Sequence, residues 1–580
     1  MGDVLMMAFR RLRTPLIALI LAYGISVFGL AVIPGVDAAG QPATLGFFNA
    51  FYIISYTATT IGFGEIPYPF NGAQRGWVTF SIYLSVICWA YTLGSVFALV
   101  QDATFRNALA RSRFSARVRR LEEPFYILAG YGQSGTALAH ALDETGGRIV
   151  IIELRPDRAA HVDIEEFHQP AMALAADARW PDVLIDAGVQ HPRCKALIVQ
   201  VAEDEVAQTI AIGASMLNPK LQVIARVHSA FARSNLDGFP GITVIDPFET
   251  FATNLGLSIS APAVLWVEEW LSSVPGSQCP RPFMVPHGHW LLFGYGRFGQ
   301  AVAHELERVG CTWTAVDPNE SLKVEEHLIR CDYTAQSLRN VGVEEAVGVV
   351  VCTDRDVLNL SLVSRVRQIK PSLTIVVRQN HVADRSLIEA AKADFVFVKG
   401  ELMTRECLQL LVTPTLNRFL MMVRELGADM AEQIGVRLLT ELEERVPYLW
   451  VFNCYASYPG LREVLADSSV APLKLAELLI DPLNPALHLR AVPLLLLRHG
   501  EPVVLPPLDT VLQSGDQLLF AGRRGVEPLQ RRFQMDPSPV SYVRTGIEPA
   551  RGWVFRNLQR WYAERQRRLT RRRAARHDEA

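Results

Sequence analysis

Thr57-Ala-Thr-Thr-Ile-Gly-Phe-Gly-Glu65 lies between two apolar segments near the N-terminus, and its two glycines decide how the whole chain reads. Carbonyls along an ordinary strand alternate sides, so a strand cannot aim a row of them at one axis. Gly62 and Gly64 lift that restriction, because without a Cβ they take positive φ at little cost. The carbonyls of Thr60, Ile61, Gly62 and Phe63 can then point one way, with Thr59 leading in and the Thr60 hydroxyl adding an inner ring. Several copies of such a row would replace the water shell of a cation. A glycine turn closing an apolar helix is the plain alternative, and the flanks speak against it.

Leu16 to Ile33 is an 18-residue run without a charge, and Trp77 to Val100 is another of 24. At about 1.5 Å per residue the second reaches ~36 Å, more than the ~30 Å hydrocarbon core of a bilayer. Arg10, Arg11 and Arg13 precede the first run, six arginines between 106 and 120 follow the second, and only Arg75 lies between. Both ends of this hairpin are therefore expected on the cytoplasmic side, in the inner membrane of a cell, with the loop outside. A cleaved signal peptide is the other reading of the first run, but the run exceeds a normal signal core. Residues 46–60 are apolar and too short to cross, which suits a re-entrant helix with its negative dipole end toward a central cavity.

Thr59-Thr-Ile-Gly-Phe-Gly64 resembles the potassium-channel signature Thr-x-Gly-Tyr-Gly. The resemblance implies a K+ filter built from the carbonyls of Thr60, Ile61, Gly62 and Phe63. Each chain brings one copy, so it also implies a homotetramer in a lipid membrane. Two residues depart from the pattern. Phe63 stands where Tyr is usual, removing a phenol hydrogen bond that braces the filter in the family, and Glu65 stands where Asp is common. In the second span the flexible point is Gly94, while the family's hinge glycine aligns near Ser85. Both are gate candidates, and Gly94 reads equally well as a helix-packing residue.

The 580 residues, 50% of them hydrophobic, suffice for about three or four domains. A formal net charge of −2 argues against a nucleic-acid partner. The eight cysteines form no Cys-x-x-Cys pair, so neither a zinc site nor a disulfide framework is indicated, in keeping with a reducing cytoplasm. After the pore domain, 1–100, comes a polar, Arg-rich stretch of helical character, 101–124, that reads as a linker able to transmit force.

Phe125-Tyr-Ile-Leu-Ala-Gly-Tyr-Gly-Gln-Ser-Gly135 is an apolar strand entering Gly-x-Gly-x-x-Gly, followed by a helical run and a second strand ending at Glu153. This is a dinucleotide-type βαβ unit: Gly130, Gly132 and Gly135 shape the turn, Gln133 and Ser134 open the helix, and Glu153 accepts from ribose hydroxyls. The unit recurs as Trp290-Leu-Leu-Phe-Gly-Tyr-Gly-Arg-Phe-Gly299 with Asp317. Gly130, Gly135, Ala139, His140 and Glu153 map onto Gly294, Gly299, Ala303, His304 and Asp317 at one offset of 164. With small gaps, Arg226 maps onto Arg378. The chain thus carries an internal duplication of about 150 residues.

Residues 125–430 resemble the regulator-of-potassium-conductance, or TrkA-N, domains of bacterial channels and transporters. Asp177-Ala-Arg-Trp-Pro-Asp-Val-Leu, Thr353-Asp-Arg-Asp and Val223-Ile-Ala-Arg226 follow that family's pattern. The resemblance implies ligand binding rather than catalysis, with no enzyme activity expected. It assigns Gly130, Gly132, Gln133, Ser134, Gly135, Glu153 and Asp177 to one nucleotide site. Gly294, Gly296, Arg297, Phe298, Gly299, Asp317, Asp332 and Thr353 form the other. Arg297, opposite Gln133 in the first fingerprint, suggests the more anionic ligand at the second site. The acids at 153 and 317 favour NAD(H), AMP, ADP or ATP over NADP, although Arg155 beside Glu153 tempers this at the first site. Helical segments Pro247 to Ser272 and Leu402 to Leu426 read as crossover helices between lobes, or else as core helices within each domain.

The expected domains are thus a membrane α-helical pore hairpin with a re-entrant helix, then two α/β Rossmann-like domains at 125–275 and 288–430. A small α+β subdomain of short strands follows at 436–525, similar to the family's C-terminal ligand-binding module, with a basic tail at 545–580. Glu165-Glu166 and Glu203-Asp-Glu205 read as solvated surface rather than a Ca2+ site. A ligand-gated potassium channel, four chains around one pore with eight lobes below, accounts for these features together. A membrane-anchored NAD-dependent oxidoreductase lacks an acid or base near either fingerprint, since His140 and His304 fall inside helices. A Trk-type transporter pore needs four filter-like repeats where this chain has one.

Overall fold

The structure is a computed structural model that describes residues 2–36, 41–273, 275–280, 284–319, 327–381, 384–466 and 470–546. The chain forms two compact units, one of residues 1–132, 143–223 and 236–242, the other of 133–142, 224–235 and 243–580.

In the first unit, helices Gly2–Val32 and Gly72–Gln101 contain the two apolar runs, and both are long and apolar enough to span a membrane. The second begins at a capping box: Asn71 Oδ1 accepts from the Gln74 amide at 2.8 Å while Gln74 Oε1 accepts from the Asn71 amide at 3.2 Å. The helices approach closely at Gly29, where a Cβ would lie 2.1 Å from the Trp77 ring, and the Trp77 indole donates to the Ser26 carbonyl at 3.0 Å. Phe47–Ala58 is the expected short helix, and it buries Ile53, Ile54 and Tyr56 in a core with Val27, Leu30, Tyr68 and Phe70. The span Gly72–Gln101 runs unbroken through both gate candidates. Ser85 is buried and its hydroxyl donates back to the Ser81 carbonyl at 2.5 Å, whereas a Cβ at Gly94 would meet nothing within 4 Å. Among the described residues of this chain, a larger side chain would thus fit at Gly94.

One residue separates this span from the linker helix Ala103–Val118. Asp102 closes the former and caps the latter, accepting from the Phe105 amide at 3.0 Å, and it pairs with Arg11. Phe114 and Val118 are buried, Gly188 leaves room for Val118, and Arg111 pairs with Asp186, so the linker helix is fixed to the first α/β repeat.

Each repeat builds a six-stranded sheet of the same order. In the second, Leu328–Ile329, Thr312–Val316, His289–Phe293, Gly348–Val351, Thr374–Gln379 and Phe395–Val398 lie side by side and every pair is parallel. In the first, the order is Met172–Ala175, Arg148–Glu153, Phe125–Ala129, Cys194–Val199, Gln222–Arg226 and Ile242–Ile245. Strands buried on both faces read as continuous apolar runs, as in Val349-Val-Val351. This is the doubly wound order with its ligand crevice at the strands' C-terminal ends.

The two long helical segments after the sheets are each two helices: Pro247–Ser260 with Pro262–Ser272, and Lys399–Val412 with Pro414–Leu426. Pro262 and Pro414 lack an amide hydrogen, so each starts a new helix instead of continuing the old one. The first of these segments packs beyond its own repeat: Phe248, Ala252 and Leu255 share a core with Phe298, Val302 and Leu306 of the second repeat.

The last subdomain departs from its expected bounds. Residues 436–442, expected as strand and turn, complete the helix Ala428–Leu442, because Ala431, Ile434, Leu438 and Leu442 recur at helical spacing on one buried face. Four antiparallel strands follow in the order Tyr448–Asn453, Gln517–Gly522, Ala491–Arg498, Glu501–Val504. Helices Val526–Met535 and Ser538–Thr545 cover this sheet, with Phe533 and Val540 in its core and the Trp450 indole donating to Gln530 at 2.9 Å. The subdomain thus reaches Thr545 instead of ending at 525. The basic tail falls almost wholly on residues 547–580, outside the described residues.

The approach at Gly29 gives a direct test. Gly29→Val should lower the thermal unfolding midpoint of the detergent-solubilised chain, by about 1–3 kcal/mol of overpacking. Gly24→Val, where a Cβ meets nothing within 4 Å, should leave it in place.

Candidate functional site

At residues 59–64 the backbone carries positive φ at every second position: 61° at Thr60, 70° at Gly62 and 93° at Gly64. Alternating the sign of φ turns each second peptide over, which brings carbonyls that would alternate onto a common side. Gly62 and Gly64 behave as the sequence predicts. Thr60, a β-branched residue, joins them, and that conformation is strained for it. The restraints sit at the inner end: the Ile61 amide donates to the Tyr56 carbonyl at 2.9 Å, and the Thr59 hydroxyl donates to the Ser55 carbonyl at 2.9 Å. Beside this segment, Phe63 stacks on Tyr52 with centroids 6.4 Å apart and meets Tyr56 edge-on at 5.5 Å. The Tyr56 hydroxyl donates to the Gly64 carbonyl. Glu65 turns away into the loop, forked onto Arg75 at 2.7 and 3.0 Å and accepting from the Phe70 amide at 2.8 Å.

The two glycine turns share one device. In the first, Glu153 accepts from the Tyr131 amide at 2.6 Å and from the Arg155 amide at 3.0 Å. In the second, Asp317 accepts from the Tyr295 amide at 2.7 Å and from the Asn319 amide at 2.9 Å. Each acid is thus held against its turn, where a ribose would lie. Gly130 and Gly294 have φ of 98° and 102°, and a Cβ there would press on the Gln200 carbonyl at 3.0 Å or the Thr353 amide at 3.1 Å. A Cβ at Gly299 would fall 2.3 Å from the Gly294 carbonyl, so the helix Arg297–Arg308 can start this close to the turn only without one. A Cβ at Gly296 would meet open space, leaving room for a phosphate at the helix N-terminus.

The division between the two units falls between Gly132 and Gln133. On the first side, the Arg158 guanidinium lies 3.7 Å from where a Cβ of Gly132 would be. The sequence contrast between Gln133 and Arg297 overlooks this cation, which sits two residues beyond Pro156 on a short helix. On the other side, Gln133, Ser134 and Gly135 open the helix Gln133–Glu144, and Gly400 approaches Ser134. Arg297 is exposed at the first position of its helix, and Phe298 is fully buried in the core behind it, so Phe298 supports the turn rather than facing a ligand.

The three outer residues expected at these sites have partners of their own. Asp177 is forked onto Arg179, whose hydrogen bonds hold its carboxyl below the usual range. Asp332 accepts from the hydroxyls of Ser337 at 2.5 Å and Thr334 at 3.1 Å, which lower it likewise. The Thr353 hydroxyl bonds Asn359 at 2.5 Å, and Asn359 also donates to the Arg378 carbonyl at 2.9 Å, tying two strand ends together. No group of three His, Cys, Asp or Glu side chains arranged for a metal occurs among the described residues.

Beside the second turn lies a charge cluster that the sequence did not single out. Arg378 rests over the rings of Phe248 and Phe298, at 5.2 and 5.9 Å, and Lys399 rests over Phe248 at 5.3 Å. Lys399 Nζ is 3.1 Å from His228 Nε2, and His228 Nδ1 is 3.4 Å from Asp246. Burial first, then Arg226, Arg378 and Arg297, push the Lys399 ammonium down to about 7.

Residues 126–245 and 290–399 match the family model of the TrkA-N domain, so the two α/β repeats are TrkA-N domains. Potassium channel protein 1 of Methanocaldococcus jannaschii is 28% identical over 181 residues, 31% of this chain and 52% of that protein. An uncharacterised protein of Methanothermus fervidus is 28% identical over 207 residues, 35% of this chain and 31% of that protein. The chain therefore spans about half the length of the first of these relatives and about a third of the second. Among solved structures, the GsuK channel bound to NAD aligns with TM-score 0.45 at 16% identity, over 92% of this chain and 99% of that one. GsuK bound to ADP aligns with TM-score 0.43 at 19% identity, over 70% of this chain and 99% of that one.

Two outcomes follow for these sites. Asp317→Ala should weaken binding of NAD(H) or adenine nucleotides about tenfold, the loss of one charged acceptor; unchanged affinity by calorimetry would remove Asp317 from the site. For Lys399, an unfolded chain titrates near about 10.4, so between about 7 and 10 the native state binds fewer protons and its stability rises with pH. Lys399→Met should therefore stabilise the protein against denaturant by about 4 kcal/mol at pH 7 and by almost nothing near pH 10.5. Equal gains at both pH values would assign the effect to packing.

Proposed function

We propose that this chain is the subunit of a nucleotide-regulated potassium channel. One observation carries the reading: the alternating positive φ at Thr60, Gly62 and Gly64, held between a short buried helix and two helices long enough to span a membrane. That backbone supports a row of carbonyls from Thr60 to Phe63 as K+ ligands. The similarity to a relative named a potassium channel protein supports the same conclusion. A single hairpin cannot surround an ion, so four chains form the pore, with eight TrkA-N domains on its cytoplasmic side and both termini there.

Regulation in this reading comes from the glycine turns. NAD(H) or an adenine nucleotide binds at Gly130–Gly135 or Gly294–Gly299, with Arg158 or Arg297 near its phosphates and Glu153 or Asp317 near its ribose. A ligand preferring one ring shape by a few kcal/mol shifts the pore equilibrium accordingly. The path of that bias is short: Arg111 and Phe114 join the linker helix to the first repeat, and Asp102 alone separates the linker from the pore-lining span. In this reading the glycine turns bind ligand to regulate conduction rather than to catalyse.

Reconstituted in liposomes with a K+ gradient, the chain should pass K+, and NAD(H), AMP, ADP or ATP should change the rate. Gly62→Asp, which forces a side chain and a charge into the carbonyl row, should reduce flux to that of empty vesicles. Flux that persists in Gly62→Asp would falsify the filter assignment.

A further inference from the structure

Residue 63 is Phe, so the filter lacks a phenol of its own. We propose that Tyr56, on the short helix before the filter, is the positioning residue that supplies it, fixing the filter's outer end through its hydroxyl. The inference rests on the reading of residues 59–64 as the filter.

Tyr56 touches the segment at both ends. Its carbonyl accepts from the Ile61 amide at 2.9 Å and from the Thr59 hydroxyl at 3.3 Å, which sets the inner turn. Its hydroxyl reaches past Phe63 and donates to the Gly64 carbonyl. The side chain is itself well placed to act as a strut: it is buried, its ring meets Tyr52 edge-on at 5.4 Å and Phe63 edge-on at 5.5 Å, and its helix neighbours Ile53 and Ile54 are fully in the core. A phenol hydroxyl on a buried side chain is favoured when it is hydrogen-bonded, and among the described residues this one donates to the Gly64 carbonyl.

The Gly64 carbonyl is the place where such a bond matters. Gly64 has φ of 93° and no Cβ, and a Cβ there would meet nothing within 4 Å, so no side chain of its own restrains its peptide. The Tyr56 hydroxyl holds it. With that carbonyl engaged behind the filter, the row open to ions ends at Phe63, and the alternation set up at Thr60 and Gly62 cannot unwind from its outer end. Phe63 adds only ring contacts, stacked on Tyr52 at 6.4 Å, which resist displacement of the ring but not rotation of the next peptide.

The test uses the full chain reconstituted in lipid, with Tyr56→Phe removing one oxygen and keeping both ring contacts. The K+ over Na+ permeability ratio, read from reversal potentials, should fall about three- to tenfold, the effect of one lost neutral hydrogen bond. Tyr52→Phe, which keeps its stack on Phe63, should leave the ratio unchanged. A Tyr56→Phe chain as selective as the wild type would overturn the proposal. So would a loss seen only in Tyr56→Leu, because that assigns the role to the ring. Amide hydrogen exchange of the detergent-solubilised chain gives a second measurement, independent of conduction: residues 62–65 should exchange faster in Tyr56→Phe, and equal rates would count against the anchor. A wild type that conducts no K+ while Tyr56→Phe still accelerates exchange would sink the channel reading and leave the anchor standing.

Discussion

A row of carbonyls facing one side is a conformation that a polypeptide does not hold by itself. It has no repeating hydrogen bond to its neighbours, and it needs every second residue in the left-handed region. Two of the three residues that adopt it here are glycines, for which the region is open, and the third is Thr60, for which it is not. The surroundings therefore have to over-determine it. The helix Phe47–Ala58 does so from the inner side through the Tyr56 carbonyl and the Thr59 cap, and the aromatic group Tyr52, Tyr56 and Phe63 does so from behind. That helix holds its place because Ile53 and Ile54 are buried with Val27 and Leu30 of one span and with Tyr68 and Phe70 of the returning loop. The close approach of the spans at Gly29 and Trp77 belongs to the same scaffold.

The α/β half solves a different problem twice. A phosphate needs bare amides at a helix N-terminus, and a turn with φ near 100° must place that helix close to a strand. Both copies use a glycine where a Cβ would strike the backbone of the fourth strand's end, and both fold the acid of the second strand onto the turn's amides. The copies diverge in their cations. Arg297 enters through the fingerprint itself, whereas Arg158 comes from a short helix more than twenty residues later, so an aligned comparison of the two fingerprints sees only one of them. The second copy also gathers Arg378 and Lys399 over Phe248, a ring delivered by the helix that follows the first sheet. Duplication thus produced two turns of one geometry with unlike charge around them.

Much of this was legible because it is local. Two charge-free runs, a short apolar segment between them, glycines at fixed spacing and an acid some twenty residues on are each set by neighbours in sequence. The misreadings have physical causes. Val436 to Leu442 belongs to a helix whose apolar positions begin at Ala431, so a boundary at 436 splits its periodicity. Residues 526–545 look polar because only one face of each helix is buried, by Phe533 and Val540. The resemblance places Asp177, Asp332 and Thr353 at the sites, and the structure adds that each side chain bonds a neighbour within six residues.

The sequence by itself determined the hairpin, the glycine turns, the duplication and the identity of the groups that can bind ions or phosphates, since these depend on composition and short-range spacing. Only the tertiary structure decided which partner each group meets. Nothing in the spacing of Tyr56 and Gly64 tells that a hydroxyl from a helix will reach the Gly64 carbonyl. Nor does any local pattern bring Asp246, His228 and Lys399, from both repeats, into one cluster. Those contacts follow from how helices cross and pack, and packing is settled by surfaces distant in the chain.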